Sequence, residues 1–120
     1  MSRIERIAYK DRQILSIDHS NLEEAELLEN MRAATKLMLE HKGDKLLCLI
    51  SFEGTYTTEK VFDELKSKEA LESMKNVEKT AVLGVTGIKK IFLNAYNQMT
   101  GKQIRAFNTK NEALEYLVAE

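Results

Sequence analysis

The chain has 120 residues, 43% of them apolar and 31% charged, ordinary values for a globular protein with room for one core. A net charge of -1 with a pI near 6.2 leaves no global field to recruit nucleic acid or a membrane surface. No stretch nears the roughly 18 consecutive apolar residues of a membrane span, MSRIERIAYK has no signal-peptide core, and the lone Cys48 has no internal partner, which fits a reducing, cytoplasmic setting.

Residues 3–9 and 13–18 read as two short strands around the charged turn Lys10-Asp11-Arg12, with Ile4, Ile7, Ile14, Leu15 and Ile17 supplying the apolar content. Ser20 followed by Glu23 has capping-box spacing. Beyond it, Leu28, Met31, Thr35 and Met38, with Leu27 and Ala34 beside them, share one helical face. Gly43, in Lys42-Gly43-Asp44, is placed to end that helix in a left-handed C-cap.

LLCLISF, residues 46–52, is apolar except for Ser51, as expected of a central strand covered on both faces. The next helix begins near Thr57 or Thr58. Val61, Phe62 and Leu65 lie on one of its faces, and Ala70, Leu71 and Met74 fall about 180° around at 100° per residue, so a break is expected near Ser67. TAVLGV, residues 80–85, reads as a second buried strand. Ile88, Ile91, Phe92, Ala95 and Met99 then recur at helical spacing up to the stop at Gly101, with Lys89 and Lys90 turned away from that face into solvent. Residues 103–107 form a short strand, and Thr109 with Glu112 opens a last helix with Ala113, Leu114, Leu117 and Val118 inward.

The order ββαβαβαβα predicts an α/β fold: a mixed, mostly parallel sheet of about five strands with helices packed against it. The chain lacks proline and any Gly/Ser linker, so residues 1–120 are expected to form a single domain.

Three places attract attention as sites. Gly84-Val85-Thr86-Gly87 leads from a strand into a helix N-terminus, a geometry that suits anions, and Lys89 and Lys90 follow. The phosphate-loop and dinucleotide patterns are both missing, so the expectation is a turn, with an anion site at Thr86, Gly87, Lys89 and Lys90 as the alternative. Residues 79–111 carry six basic side chains and no acidic one, either a surface for an anionic partner or charges that face different ways. The loop Glu53, Gly54, Thr55, Tyr56, Thr57, Thr58 follows a central parallel strand at its carboxyl end, where ligand contacts in open α/β sheets gather. A phosphate on one of its threonines would meet the helix dipole and change a docking surface; otherwise one threonine caps the helix. His19, His41 and Cys48 have no metal-ligand spacing, Cys48 reads as a core thiol, and Asp18 reads as a turn former. No acid/base or nucleophile arrangement appears, and no cofactor is expected.

With Asp18-His19-Ser20-Asn21-Leu22 closing the second strand and AVLGVTGIKK…AYNQMTGKQIRAFNTKNEALEYL at the end, the chain resembles the SpoIIAA-like, STAS-type family of small bacterial domains. That resemblance implies a regulatory or protein-interaction domain without chemistry of its own. In the family's antagonists a phosphorylatable serine sits in an Asp-Ser-Ser-Gly-type loop. Here the matching loop is Ser51-Phe52-Glu53-Gly54-Thr55-Tyr56-Thr57-Thr58, which keeps Gly54 and lacks the Asp-Ser-Ser run. The alternative function is a small-ligand module for a phosphate-bearing nucleotide or an anionic lipid head group. A protein partner is expected, and a homodimer is a further option.

Overall fold

In a computed structural model, residues 3–41 and 45–119 are described. The first two strands, β1 (Ile4–Tyr9) and β2 (Arg12–Asp18), form an antiparallel hairpin in which Tyr9 faces Arg12. Its two-residue turn places both Lys10 and Asp11 at positive φ, the backbone that matches the right-handed twist of the strands. Helix α1 (Glu24–Glu40) buries Leu27, Met31, Ala34 and Met38. Its start corrects the capping box expected at Ser20. The Asp18 carboxylate accepts from both the N–H and the hydroxyl of Ser20, so that hydroxyl serves the turn. The helix begins four residues later behind Glu23, without a side-chain cap. The C-cap expected at Gly43 lies outside the described residues.

Strand β3 (Leu46–Ser51) leads through a loop to α2 (Glu59–Leu65), then α3 (Lys68–Ser73) and a single 3-10 turn at Met74–Asn76. The break falls where the two apolar faces require it: Ser67 leaves the helical conformation, and its hydroxyl caps α3 by accepting from Ala70 N–H at 3.2 Å. Strand β4 (Val77–Leu83) starts three residues earlier than its apolar run and ends before Gly84. Helix α4 (Ile88–Thr100) stops at Gly101 in the left-handed conformation. Strand β5 (Arg105–Phe107) and helix α5 (Lys110–Val118) complete the order.

The sheet order is β1-β2-β3-β4-β5, parallel from β2 onward. Because each parallel strand is added on the same side of the last, right-handed crossovers carry α1 to α4 over a single face. That face presents Leu15, Ile17 and Cys48 to Ala34 and Met38. Helix α5, which follows the last strand, covers the other face, where Ala113, Leu114 and Leu117 pack on Ile14, Leu47, Leu49 and Ala81. Burial on both faces explains the near-continuous apolar run of β3, and burial pushes the Cys48 thiol up to about 12, which keeps it protonated and inert.

Thr109 caps α5 through a bond from Glu112 N–H at 3.2 Å. The Thr109→Ala variant is expected to lose about 1 kcal/mol of stability, read as a lower urea midpoint at unchanged slope.

One face is corrected. On α4 the sequence pattern pointed to Ile88, Ile91, Ala95 and Met99, but Ile88 and Ile91 are each 68% exposed and Met99 is 63% exposed, while Tyr96 is buried. Apolar residues occupy more than half of this helix, so periodicity alone leaves its rotation open. The larger contacts decide it: Phe92 meets the Phe62 ring at 5.3 Å, and Phe92, Leu93 and Tyr96 all turn inward to line the space over the sheet.

Candidate functional site

The carboxyl ends of β2, β3 and β4 converge on the loop between β3 and α2. His19 N–H donates to Ser51 O at 2.9 Å, Asn21 N–H to Glu53 O at 2.7 Å, and Phe52 N–H to Leu83 O at 2.9 Å. The loop backbone is thus stitched to the strands on both sides as the sheet hydrogen bonding runs out. Two glycines let the chain pass this closely. Gly84, at φ +75, lies against the backbone of Glu53, and Gly54, at φ +69, lies against the Asn21 side chain. Asn21 is itself left-handed, a conformation asparagine tolerates better than most residues.

The Phe52 carbonyl is the hub of the loop. It accepts the Thr55 N–H at 3.2 Å, the Thr55 hydroxyl at 2.8 Å and the Lys89 ammonium at 2.9 Å. Lys89 is therefore half-buried and pinned to the loop, not turned into solvent as expected. A charge-assisted bond of this kind ties the first turn of α4 to residues more than thirty positions earlier.

The four loop positions after Gly54 have different settings. Thr55 is 3% exposed, with its hydroxyl spent on Phe52. Tyr56 is 85% exposed, with its ring in solvent. Thr57 is half-buried and lines a cavity under α4. Thr58 caps α2 by accepting Val61 N–H at 3.2 Å. Glu53 and Gly54 form the exposed rim.

At the other candidate, Thr86, Gly87 and Lys90 are exposed. Gly87 occupies the N-cap position with φ +58 and offers no side chain to the helix. The basic residues of 79–111 do not form one patch. Lys79 donates to Tyr116 O at 3.1 Å and Ala119 O at 2.6 Å, closing the end of α5, Arg105 lies over the Tyr116 ring, and Lys89 holds Phe52.

Sequence reasoning did not foresee that His19 would be buried. It is 3% exposed, its Nδ1 faces Asn30 Nδ2 at 2.9 Å, and its ring lies 5.2 Å from that of Phe52. Burial lowers its pKa to about 4, against the pull of the Asp18 carboxylate. Asp18 itself is lowered: burial works to raise it, and the two bonds from Ser20 with the Arg3 charge outweigh that. The available signal was position, since an imidazole one residue beyond a buried strand has little chance of reaching water. Among the described residues, no group of three His, Cys, Asp or Glu side chains is placed to hold a metal ion, and no helix is long and apolar enough to cross a membrane.

The same architecture occurs in solved structures. An uncharacterized protein of the DUF3478 family with a SpoIIAA-like fold, from Shewanella loihica PV-4, matches with a TM-score of 0.70 and 21% identity over 95% of this chain and 91% of that one. The chain has the SpoIIAA-like fold. An anti-sigma-factor antagonist (STAS) domain protein from Planctomyces limnophilus matches with a TM-score of 0.64 and 16% identity over 97% of this chain and 98% of that one. The sequence matches no family model and no curated protein. At these identities the likeness is one of fold. Within this SpoIIAA-like sheet, the loop 53–58 leaves from the central strand β3.

Proposed function

We propose that residues 1–120 form a single non-catalytic STAS-like regulatory domain that works in the bacterial cytoplasm by binding another protein through Glu53–Thr58 and the start of α2. The observation that carries this reading is the contrast within the loop. Its backbone is tied at Ser51, Phe52 and Glu53 to the chain on both sides and at the Phe52 carbonyl by Lys89, yet it holds Tyr56 at 85% exposure. An exposed aromatic ring on a tethered loop is a frequent anchor of protein interfaces. The fold shared with an anti-sigma-factor antagonist domain protein supports a regulatory partner, and the half-buried Thr57 beside Tyr56 is the position where a phosphate would disturb the contact.

The test is affinity capture from the source cell with the wild-type chain, Tyr56→Ala, Thr57→Glu and the surface control Leu39→Ala. A protein retained by wild type and Leu39→Ala, and weakened at least tenfold by Tyr56→Ala and Thr57→Glu, is the expected result. Partners that bind all four forms equally would sink the assignment of this loop, and self-association as the only contact would recast it as a homodimer surface. The alternative, a nucleotide or anionic lipid head group at Thr86, Gly87, Lys89 and Lys90, requires the ligand to draw Lys89 away from the Phe52 carbonyl, and it predicts binding that weakens with salt.

A further inference from the structure

Helix α5 crosses its face of the sheet on a diagonal. It starts beyond the carboxyl end of β5 and ends near the β1–β2 turn, where Glu115 holds the Lys10 ammonium at 2.7 Å. At about 1.5 Å per residue its nine residues span only about 14 Å, and they pack chiefly on β4, with β3 and β5 beside it. The corner of that face over the start of β1 and the carboxyl ends of β2 and β3 stays open, as a cleft of about 540 Å³. That is an ordinary size for a small-ligand site. The strand register lays out its floor. Glu5 pairs with Ser16 and Ser16 with Leu49, and in the next row Asp18 pairs with Ser51 and Ser51 with Leu83. Lys110, three residues past the Phe107 that pairs with Leu83, stands at the far end.

Four charged side chains line the cleft, and two of them are spent on each other. Arg3 lies 3.6 Å from the Asp18 carboxylate and donates to the carbonyls of Asp18 and Ser20 at 3.3 and 3.0 Å, and the same carboxylate accepts from Ser20. Glu5 and Lys110 remain, both exposed, at opposite ends, and without a partner among the described residues. Lys110 sits in the first turn of α5, where the helix dipole disfavours a cation, so its charge does not serve that helix. Between the two, the Ser16 hydroxyl also has no partner among the described residues. The Ser51 hydroxyl accepts Glu53 N–H at 3.4 Å and keeps its own proton to donate. We propose that this cleft binds a short peptide with free ends, two or three residues long, its ammonium at Glu5, its carboxylate at Lys110 and its carbonyls at Ser16 and Ser51. The span sets the length. Strands β1 and β4 are three strand spacings apart, about 14 Å, and the two charged side chains reach inward from either end. The remaining gap suits two or three extended residues at about 3.3–3.6 Å each and exceeds a single amino acid. The opposite charges also select against other ligands: Glu5 repels a phosphate ester and Lys110 repels a polyamine. The site lies on the α5 face and stands whether or not the loop 53–58 docks a protein.

The experiment is a titration of the isotope-labelled chain with dialanine, trialanine, their N-acetylated and C-amidated forms, and alanine, followed by amide shifts. Saturable shifts at Ser16, Leu49, Ser51 and Leu83 with dialanine or trialanine are the expected result, and the two lengths measure the gap. Alanine, too short to reach both ends, and the tighter peptide with either end blocked should each bind about fivefold or more weakly. In Glu5→Gln the acetylated and free peptides should bind alike, and in Lys110→Met the amide and the acid should. Both side chains are exposed, so both variants are expected to fold. Absence of saturation, or shifts confined to residues outside the cleft, overturns the site. Blocked peptides that bind the wild type as well as free ones overturn the charge assignment, and a variant that still discriminates between them removes its residue from the site.

Discussion

Replacing Gly84 with alanine is expected to destabilise the protein by about 2–5 kcal/mol, a large share of the total for a domain of this size. Two costs combine. The residue sits at φ +75, where an L side chain is strained by about 1 kcal/mol or more. The new Cβ would also lie 2.5 Å from Glu53 N and 2.7 Å from Glu53 Cα. Those are backbone atoms, so no rotamer change relieves the clash, and either the end of β4 or the loop must shift. Gly87 provides the control. At φ +58 and ψ -130 an added side chain is strained by about 1–3 kcal/mol, yet nothing lies within 4 Å of an added Cβ, so Gly87→Ala should show a conformational cost without a clash. Urea unfolding of both variants separates the terms. A loss of only about 1 kcal/mol for Gly84→Ala would mean that its approach to Glu53 contributes nothing. Because Glu53 opens the loop, Gly84→Ala should also disturb the amide signals of residues 52–55, whereas Gly87→Ala should not.

Much of the architecture was legible because local and global preferences agree. Thr58, Ser67 and Thr109 all cap the helices they precede. The 180° offset between the Val61 and Ala70 sets required the break that Ser67 provides, and β3 is apolar up to Ser51 because helices cover both of its faces. Where the reading failed, a competing partner had taken the group. Ser20 has the spacing of a cap but is taken by Asp18, two residues back. Lys89 belongs on the solvent side of an idealised α4, but the Phe52 carbonyl captures it from the end of a different strand. The rotation of α4 follows from that capture and from Phe92 meeting Phe62, pairings that no period within residues 88–99 encodes.

The candidate site shows the same division. The loop after β3 was placed from topology alone, since the carboxyl end of a central parallel strand is where side chains are free to meet a ligand. Which of its threonines are available was not legible, because Thr55 is buried by its bond to Phe52 and Thr58 is occupied by Val61 N–H. The apolar cavity was equally hidden. A pattern of apolar residues reports which side chains face inward, and it carries no information on whether they fill the space they face.

Stability should fall by about 3 kcal/mol as the pH drops from 7 toward 4, with His19 as the main cause. Its ring is 3% exposed, and Asn30 Nδ2, which also donates to the Asp18 carbonyl at 3.0 Å, can only donate to Nδ1, so the folded protein holds the neutral imidazole with its proton on Nε2. Protonation would bury a cation and set its Nδ1–H against the amide of Asn30. Burial accordingly lowers the pKa from 6.5 to about 4, with Asp18 opposing and Arg3 assisting. In the unfolded chain the same group titrates near 6.5. Between these values the unfolded state binds more protons, so unfolding becomes more favourable as the pH falls. The contribution is complete above about pH 6.5 and is lost progressively on the way to about pH 4. Asp18, whose carboxyl is also lowered, withdraws its own contribution only as its ordinary carboxylate range is reached, at the acid end of this window. Urea midpoints measured between pH 7.5 and 4.5 for wild type and His19→Gln distinguish the two. The glutamine carbonyl can still accept from Asn30 and does not titrate, so the variant should be flat from pH 7 to about 5 where wild type slopes. An unchanged slope in the variant would place the acid sensitivity elsewhere, with the carboxylates.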